Sequence, residues 1–188
     1  MHMKTLMFPA VLAALLAACA TPPQSSPGAL YDGNSARVRA SVVAPDWTSL
    51  RAKLGSALRN VPGVELGEAG VGGLKLQIPV SDGFASGKAD MRPSLVRTLD
   101  TLAPLLAAEP EAAVQVVGHT DSQGSEMHNL QLSIARAEAV AEYLRSRGID
   151  LARLSADGRG EADPLTSNAQ ESGRARNRRV EIILRPMP

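Results

Sequence analysis

The clearest periodic pattern of apolar and polar positions lies between residues 125 and 148. Apolar residues recur there at alternating steps of three and four, which places them in one stripe along an α-helix. The stripe consists of Met127, Leu130, Ile134, Ala137, Ala141 and Leu144. Ser125 is a suitable N-cap, and Gly148 stands where a helix often ends in a left-handed residue. The pattern predicts an amphipathic helix whose apolar stripe is buried.

A short valine-rich run precedes this helix. Residues 112–117 predict a buried strand, and a polar turn joins it to the helix. Asp121 therefore stands at the end of the strand, and Asn129, Ser133 and Arg136 share one side of the helix beside the apolar stripe. One strand–turn–helix unit can thus bring a carboxylate and a guanidinium to the same rim. Such a rim suits a zwitterion, because the acid can take an ammonium and the arginine can grip a carboxylate.

The chain before this unit predicts a helix followed by a hairpin. An apolar side runs along residues 46–60 and is formed by Trp47, Leu50, Leu54, Ala57 and Leu58. We expect Trp47 to pack in a small core. Residues 64–66 and 74–78 alternate across a glycine-rich connection, which is typical of paired strands.

A second long helix should begin at Pro93, because proline is favoured in the first helical turn. One side of it would be buried through Leu95, Leu99, Leu102, Leu105 and Leu106. Pro104 interrupts this segment and predicts a kink or a split.

Two more strands are predicted towards the end of the chain, one entered over residues 151–156 and one over 178–184. Alternation along the last strand sends Arg178 and Arg179 to opposite faces, so only one of them can face the rim. Strands and helices alternate through this region, which predicts a two-layer α/β sandwich.

Composition excludes several functions. The 188 residues include 20 Lys and Arg against 19 Asp and Glu, and only 3% are aromatic, so neither charge nor base stacking favours nucleic acid. The three His residues have no helical metal-ligand pairing, and we expect no metal site. No nucleophile elbow, Walker loop or dinucleotide fingerprint occurs. We therefore expect a protein that is not an enzyme and uses no cofactor.

The N-terminal residues read as a targeting segment and a linker. Lys4 precedes a short apolar run that is too short to span a bilayer and suits a signal peptide over residues 1–18. Cys19, the single cysteine, follows it. Residues 19–45 are rich in Pro, Ser, Gly and Ala and predict a flexible tether.

The motifs around the central helix resemble the OmpA C-terminal domain family, which includes OmpA tails, Pal-type lipoproteins and flagellar-motor anchors of the MotB kind. The motifs are Gly118-His119-Thr120-Asp121, Gly124-Ser125, Asn129, Leu132-Ser133, Arg136-Ala137 and Asn177-Arg178-Arg179-Val180-Glu181-Ile182. The resemblance implies a β-α-β-α-β sandwich with helices on one face of a mixed sheet. It assigns residues 74–185 to a peptidoglycan-binding domain, with 46–73 as a helix–hairpin extension.

The same resemblance implies the residues that bind the diaminopimelate of peptidoglycan stem peptides. Asp121 would take its free ammonium and Arg136 the adjacent carboxylate. Asn129 and Arg178 match positions that also line the family's pocket, with Arg179 as the alternative to Arg178.

Two residues depart from the family's pattern. Ala85 replaces a polar residue that often touches ligand, so that contact would be lost or supplied by Asp82. Arg159 stands where the family usually has an aromatic residue, which makes that rim more polar.

The string Leu16-Ala17-Ala18-Cys19 resembles a bacterial lipobox, which implies cleavage before Cys19 and acylation of its thiol. Ala20 after the cleavage point favours the outer membrane over inner-membrane retention. The sequence thus predicts a lipid-anchored outer-membrane protein whose periplasmic domain binds the cell wall. The alternative is a periplasmic interaction module for another envelope protein, in a signalling or Tol-like complex, with residues 46–73 as its extra surface.

Overall fold

The computed structural model describes residues 44–70, 72–80 and 83–187. The predicted signal peptide, Cys19, nearly all of the tether and Asp82 lie outside the described residues. The elements in chain order are helix α1 Trp47–Ala57, strands β1 Glu65–Glu68 and β2 Leu74–Pro79, helix α2 Pro93–Ala107, strand β3 Ala112–Gly118, helix α3 Glu126–Ser146, strand β4 Leu154–Gly158, helix α4 Glu171–Asn177 and strand β5 Arg179–Pro186. Short 3-10 turns at Leu58–Asn60 and Leu151–Arg153 follow α1 and precede β4.

The strands of the described part form one mixed sheet in the order β1-β2-β5-β3-β4. Neighbours from β1 to β3 are antiparallel, whereas β3 and β4 are parallel and are joined through α3. The last strand of the chain therefore lies at the centre of the sheet, between β2 and β3. This arrangement confirms the predicted two-layer α/β fold with its mixed sheet.

The core lies between one face of the sheet and helices α1, α2 and α3. Alternate residues of the central strands enter it, among them Leu74, Leu76, Ile78, Val114, Val116, Val180, Ile182 and Leu184. Leu50 and Leu54 of α1 are fully buried in the same cluster, and Trp47 packs against it. The predicted helix and hairpin are present, but they are built into the main core and do not form an appendage.

Helix α3 begins at Glu126, directly after the predicted N-cap Ser125. The Ser125 side chain accepts a hydrogen bond from the backbone N–H of His128. Its predicted buried stripe is wrong in the first half: Met127 is 64% exposed and Leu130 38% exposed. The buried face there is polar and consists of Asn129, Ser133 and Arg136. Although α3 is the longest helix, at 21 residues, neither it nor any other helix in the described ranges is apolar and long enough to cross a bilayer.

Two glycines let α3 approach the ends of β3 and β4. A Cβ at Gly118 would lie 2.1 Å from the backbone oxygen of Ser133, and one at Gly158 would lie 2.4 Å from the Ser133 hydroxyl. The register pairs Gly118 directly with Gly158, so both strands leave room for the helix at the same level. This close approach fixes the height of Ser133, and hence of Asn129 and Arg136, above the strand ends.

Two boundaries differ from the sequence prediction. Helix α2 is continuous through Pro104, which lies near its end. Proline has no backbone N–H to donate to the carbonyl of Asp100, and Asp100 is an exposed residue, so the missing hydrogen bond is tolerated. The strand expected to be entered over 151–156 instead covers Leu154–Gly158, because Asp150 caps a 3-10 turn before it.

Candidate ligand-binding site

A cavity of about 370 Å³ opens beside the end of β3, the N-terminal half of α3 and the loop that precedes α2. All four residues predicted to bind ligand line it: Asp121, Asn129, Arg136 and Arg178. The sequence separates them by up to 57 residues, and the fold brings them to one pocket. Cys19, the predicted lipidation site, lies outside the described residues.

Asp121 supplies the carboxylate of this pocket. It lies in the turn after β3, three residues beyond the last strand residue Gly118, and its Oδ1 accepts a hydrogen bond from the backbone N–H of Gln123 at 3.0 Å, which orients the side chain. Its Oδ2 accepts a hydrogen bond from Nη1 of Arg178 at 2.6 Å. The carboxylate is therefore buried, held in place by its own turn and paired with a cation.

Arg136 is a buried cation whose position is set by two contacts. Its Nε donates to the carbonyl oxygen of Lys88 at 3.0 Å, and its guanidinium lies 5.1 Å from the centre of the Phe84 ring. The residue is 7% exposed, and burial lowers the pKa of Arg136 although Asp121 acts against this shift. Among the described residues, its two terminal amino groups have no hydrogen-bond partner. They are left to face the pocket as a planar fork suited to a carboxylate.

Asn129 and Ser133 tie the loops of the site to α3. The Asn129 amide donates to the backbone oxygen of Asp121 at 3.2 Å and to Glu161 Oε2 at 2.6 Å. The Ser133 hydroxyl accepts from the backbone N–H of Gly160 at 2.9 Å. The polar buried face of α3 thus holds the turns that follow β3 and β4, and Asn129 lines the pocket as well.

The two adjacent arginines point in different directions, as alternation required. Arg178 lies on the pocket side and bridges two carboxylates, those of Asp121 and Glu171. Burial alone lowers the pKa of Arg178, but the hydrogen bonds to Glu171 and Asp121 outweigh it and raise the pKa. Arg179 turns to the opposite side, where it bonds Glu181 at 2.8 Å and the backbone oxygen of Asp163 at 3.1 Å.

The two departures from the family's pattern lie in different places. Ala85 lines the pocket, so a methyl group occupies the wall where a polar side chain was expected. Arg159 is exposed and pairs with Asp157 at 3.4 Å, outside the residues that line the cavity. Only Ala85 therefore changes the surface that a ligand in this cavity would meet.

His119, two residues before Asp121, is buried and does not line the cavity. It is 3% exposed, neither ring nitrogen has a hydrogen-bond partner among the described residues, and Nε2 lies 3.9 Å from Glu181 Oε2. Burial and then Arg179 lower the pKa of His119 to about 4, with Glu181 and Asp163 opposing and Lys75 adding to the shift. In the described ranges, no group of three or more His, Cys, Asp or Glu side chains is placed to hold a metal ion.

Sequence reasoning missed one charged residue of the pocket. Arg92, at the N-cap of α2, lines the cavity as well. The sequence drew attention only to Pro93 beside it. A larger cavity of about 540 Å³ lies between α2 and residues 60–64, and among the described residues that line it Arg97 is the charged one. The described lining of this cavity therefore offers a cation without an opposing carboxylate.

Comparison with known proteins identifies relatives of this site. A sequence model described as the OmpA family matches residues 83–178, about half of the chain. The chain is 41% identical over 112 residues to a protein named probable lipoprotein YiaD from Escherichia coli, covering 60% of this chain and 51% of that protein. It is 42% identical over 101 residues to the peptidoglycan-binding protein ArfA of Mycobacterium tuberculosis, covering 54% of this chain and 31% of ArfA. The chain thus spans about half or less of the length of these relatives.

Solved structures share the fold. A MotB-like protein from Desulfovibrio vulgaris superposes with a TM-score of 0.64 at 33% identity, over 75% of this chain and 92% of that one. The cell wall anchor of the T6SS from Pseudomonas aeruginosa gives 0.62 at 33% identity, over 76% and 99%. The peptidoglycan-associated lipoprotein from Burkholderia pseudomallei gives 0.52 at 27% identity, over 58% and 89%.

Proposed function

Because the chain belongs to the OmpA family, we propose that its pocket binds the diaminopimelate of peptidoglycan stem peptides and catalyses no reaction. ArfA, by its name, binds peptidoglycan, and the T6SS protein, by its title, anchors to the cell wall. Transfer of that property to this chain depends on the chemistry of its own pocket.

The proposal rests on the burial of Arg136 and on the contacts that hold its guanidinium. A guanidinium that is 7% exposed, held by Lys88 and stacked on Phe84, has given up most of its hydration. A carboxylate that enters the pocket can accept two parallel hydrogen bonds from the terminal amino groups of Arg136 and neutralise the charge of the guanidinium. The fixed position of the fork also means that little side-chain entropy is lost on binding.

Asp121 shares this pocket and supplies the opposite charge for an ammonium. One of its oxygens already accepts from Arg178, so the ammonium shares the carboxylate with a guanidinium. The free end of diaminopimelate carries an ammonium and a carboxylate on one carbon. It therefore fits a cavity that is lined by the carboxylate of Asp121 and the guanidinium of Arg136. Lysine carries only the ammonium and would leave Arg136 unmatched.

We further propose that the chain is anchored by an acylated Cys19 in the outer membrane. The support is the lipobox-like string before Cys19 and the relative named probable lipoprotein YiaD. In this proposal residues 1–18 are removed and residues 19–45 span the gap to the wall, while 46–73 and 74–185 form the folded part. More than one acyl chain would give stable membrane attachment.

The alternative interaction module receives less support. Its extra surface was expected from residues 46–73, but Leu50 and Leu54 of α1 are buried in the main core. A further envelope partner therefore stays a prediction. It would be tested by crosslinking in cells with and without substitutions on the exposed side of α1, where an unchanged set of adducts would count against it.

The proposed function is tested by sedimentation of the purified full chain with sacculi that contain diaminopimelate. Asp121→Ala and Arg136→Ala should each reduce the bound fraction by about tenfold or more, since each leaves one ligand charge unmatched. Arg97→Ala is the matched control, because it removes an exposed arginine from the neighbouring cavity and should bind like the unaltered chain. Undiminished binding by both pocket variants would refute the proposal.

A further inference from the structure

The pocket contains one more cation than a single zwitterion requires. Arg92, Arg136 and Arg178 line it, against the single carboxylate of Asp121 in the described residues. Arg178 is satisfied by Asp121 and Glu171, and Arg136 is the proposed partner of the diaminopimelate carboxylate. Among the described residues that line the cavity, Arg92 is thus the cation with neither a carboxylate partner nor a group of the zwitterion assigned to it.

The Arg92 side chain is available for a ligand. Within the part of the chain that the structure describes, it forms neither an ion pair nor a hydrogen bond with another side chain. Two other carboxylates come near the pocket, those of Glu161 and Glu171, but they bond Asn129 and Arg178 and do not line the cavity. No described acid therefore competes with a ligand for Arg92.

The backbone holds Arg92 at the rim. Its N–H donates to the oxygen of Gly83 at 2.8 Å, and the preceding residue Met91 forms an antiparallel bridge with Phe84. Phe84 in turn stacks on Arg136. The same short loop therefore fixes the bottom of the pocket, through Phe84, and the cation at its edge. Only the flexible stem of Arg92 remains to adapt to a ligand.

We propose that Arg92 binds a second carboxylate of the ligand, the free α-carboxylate of the γ-linked glutamate that precedes diaminopimelate in a stem peptide. This inference rests on the proposed function. The amide-linked end of diaminopimelate must leave the pocket past its rim, where Arg92 lines the cavity. That end bears the glutamate on its amine and any following alanine on its carboxyl, and the glutamate α-carboxylate is the free carboxylate that a stem peptide of any length presents next to it. A stem peptide in which this carboxylate is an amide lacks the negative charge, so Arg92 makes the pocket select glutamate over isoglutamine.

Two synthetic dipeptides test the proposal: γ-glutamyl-diaminopimelate and the same molecule with the glutamate α-carboxylate as an amide. Both are titrated calorimetrically into the full chain. The unaltered chain should bind the carboxylate form about fivefold more tightly, the size expected for a partly exposed charge pair. Arg92→Gln should bind the two forms equally, by losing affinity for the carboxylate form alone. Arg97→Gln, the matched control one turn further along α2, should keep the preference.

The outcomes separate this inference from the function on which it rests. Equal binding of both dipeptides by the unaltered chain, or an unchanged preference in Arg92→Gln, would overturn the role of Arg92 and leave diaminopimelate binding intact. Failure of the unaltered chain to bind either dipeptide would overturn the proposed function itself. A preference that disappears with Arg92→Gln and weakens at high salt supports the proposal, because an exposed charge pair is screened.

Discussion

Asp121 Oδ2 lies 2.6 Å from Arg178 Nη1, so the carboxylate proposed to take an ammonium also holds a guanidinium of the protein. The pair joins the turn after β3 to the residue between α4 and β5, which lies 57 residues further along the chain. Because the two side chains are only 10% and 24% exposed, the pair should stabilise the fold as well as shape the pocket.

A double-mutant cycle should measure this stabilisation. We expect Asp121→Ala and Arg178→Ala to be coupled by about 1 kcal/mol in the free energy of unfolding, because the pair is shielded from water and hydrogen-bonded. The exposed pair Glu142–Arg145 is the control, and its coupling should be clearly smaller, because solvent screens an exposed ion pair. The measurement is urea denaturation of the four proteins of each cycle. Coupling no larger than that of the control would contradict the role given to the pair.

Arg136→Lys should fail to restore ligand binding. A lysine at position 136 keeps the positive charge. It lacks the Nε–H that donates to the backbone oxygen of Lys88, and it lacks the planar guanidinium that stacks on Phe84. We expect affinity for a diaminopimelate peptide to fall at least about tenfold, measured by calorimetry. Arg147→Lys is a matched control, because Arg147 also stacks on an aromatic ring, that of Tyr143, at 4.9 Å and does not line the pocket. Full affinity in Arg136→Lys would show that charge alone suffices.

His119 makes stability depend on pH. Its pKa is about 4 in the folded chain against the ordinary value of 6.5, so the unfolded chain binds a proton between these values that the folded chain does not. The free energy of unfolding should therefore be greatest above pH 6.5, fall as the pH drops towards 4, and lose about 3 kcal/mol in total from this group.

Urea denaturation between pH 7 and 5 checks this dependence, because that range avoids most of the titration of Glu181, whose pKa is lowered. Burial acts to raise the pKa of Glu181, but its hydrogen bond to Arg179 prevails. His119→Asn should flatten the slope of stability against pH, whereas His128→Gln, which removes an exposed histidine, should leave it unchanged. If His119→Asn had the same slope of stability against pH as the unaltered chain, groups other than His119 would be responsible for the pH dependence.

Gly118 and Gly158 should tolerate no side chain. A methyl group at Gly118 would meet the Ser133 backbone at 2.1 Å, so Gly118→Ala must push α3 away from the sheet. We expect a loss of about 2 kcal/mol or more in stability together with weaker ligand binding. Gly55→Ala is the control, since nothing lies within 4 Å of its added Cβ in α1, and it should stabilise by about 0.5–1 kcal/mol. An unimpaired Gly118→Ala would contradict the close approach of α3.

Local signals predicted much of this fold. Ser125 caps α3, Pro93 opens α2 and alternation separates Arg178 from Arg179, and each of these depends on neighbouring residues alone. The placement of the four candidate residues around one cavity also followed from the motifs. Their role in binding peptidoglycan stays a prediction.

Other features could not be predicted from local patterns, because distant partners decide them. The polar side of α3 is buried since Asn129 bonds Glu161, 32 residues away, and Arg136 bonds Lys88, 48 residues away. Arg153 looks like a surface residue in the sequence, yet it is buried and donates to the backbone oxygens of Leu106 and Ala112. Hydrophobic periodicity cannot reveal such burial, because it treats every charged residue as a surface residue.

The most direct test of the account is a calorimetric titration of the full chain with two stem peptides that differ only at the third residue, diaminopimelate or lysine. Loss of the second carboxylate leaves Arg136 buried without an anion, so the lysine peptide should bind at least about tenfold more weakly. In Arg136→Ala this difference should disappear. Equal affinity of the unaltered chain for both peptides would contradict the claim that Arg136 and Asp121 together recognise the free end of diaminopimelate.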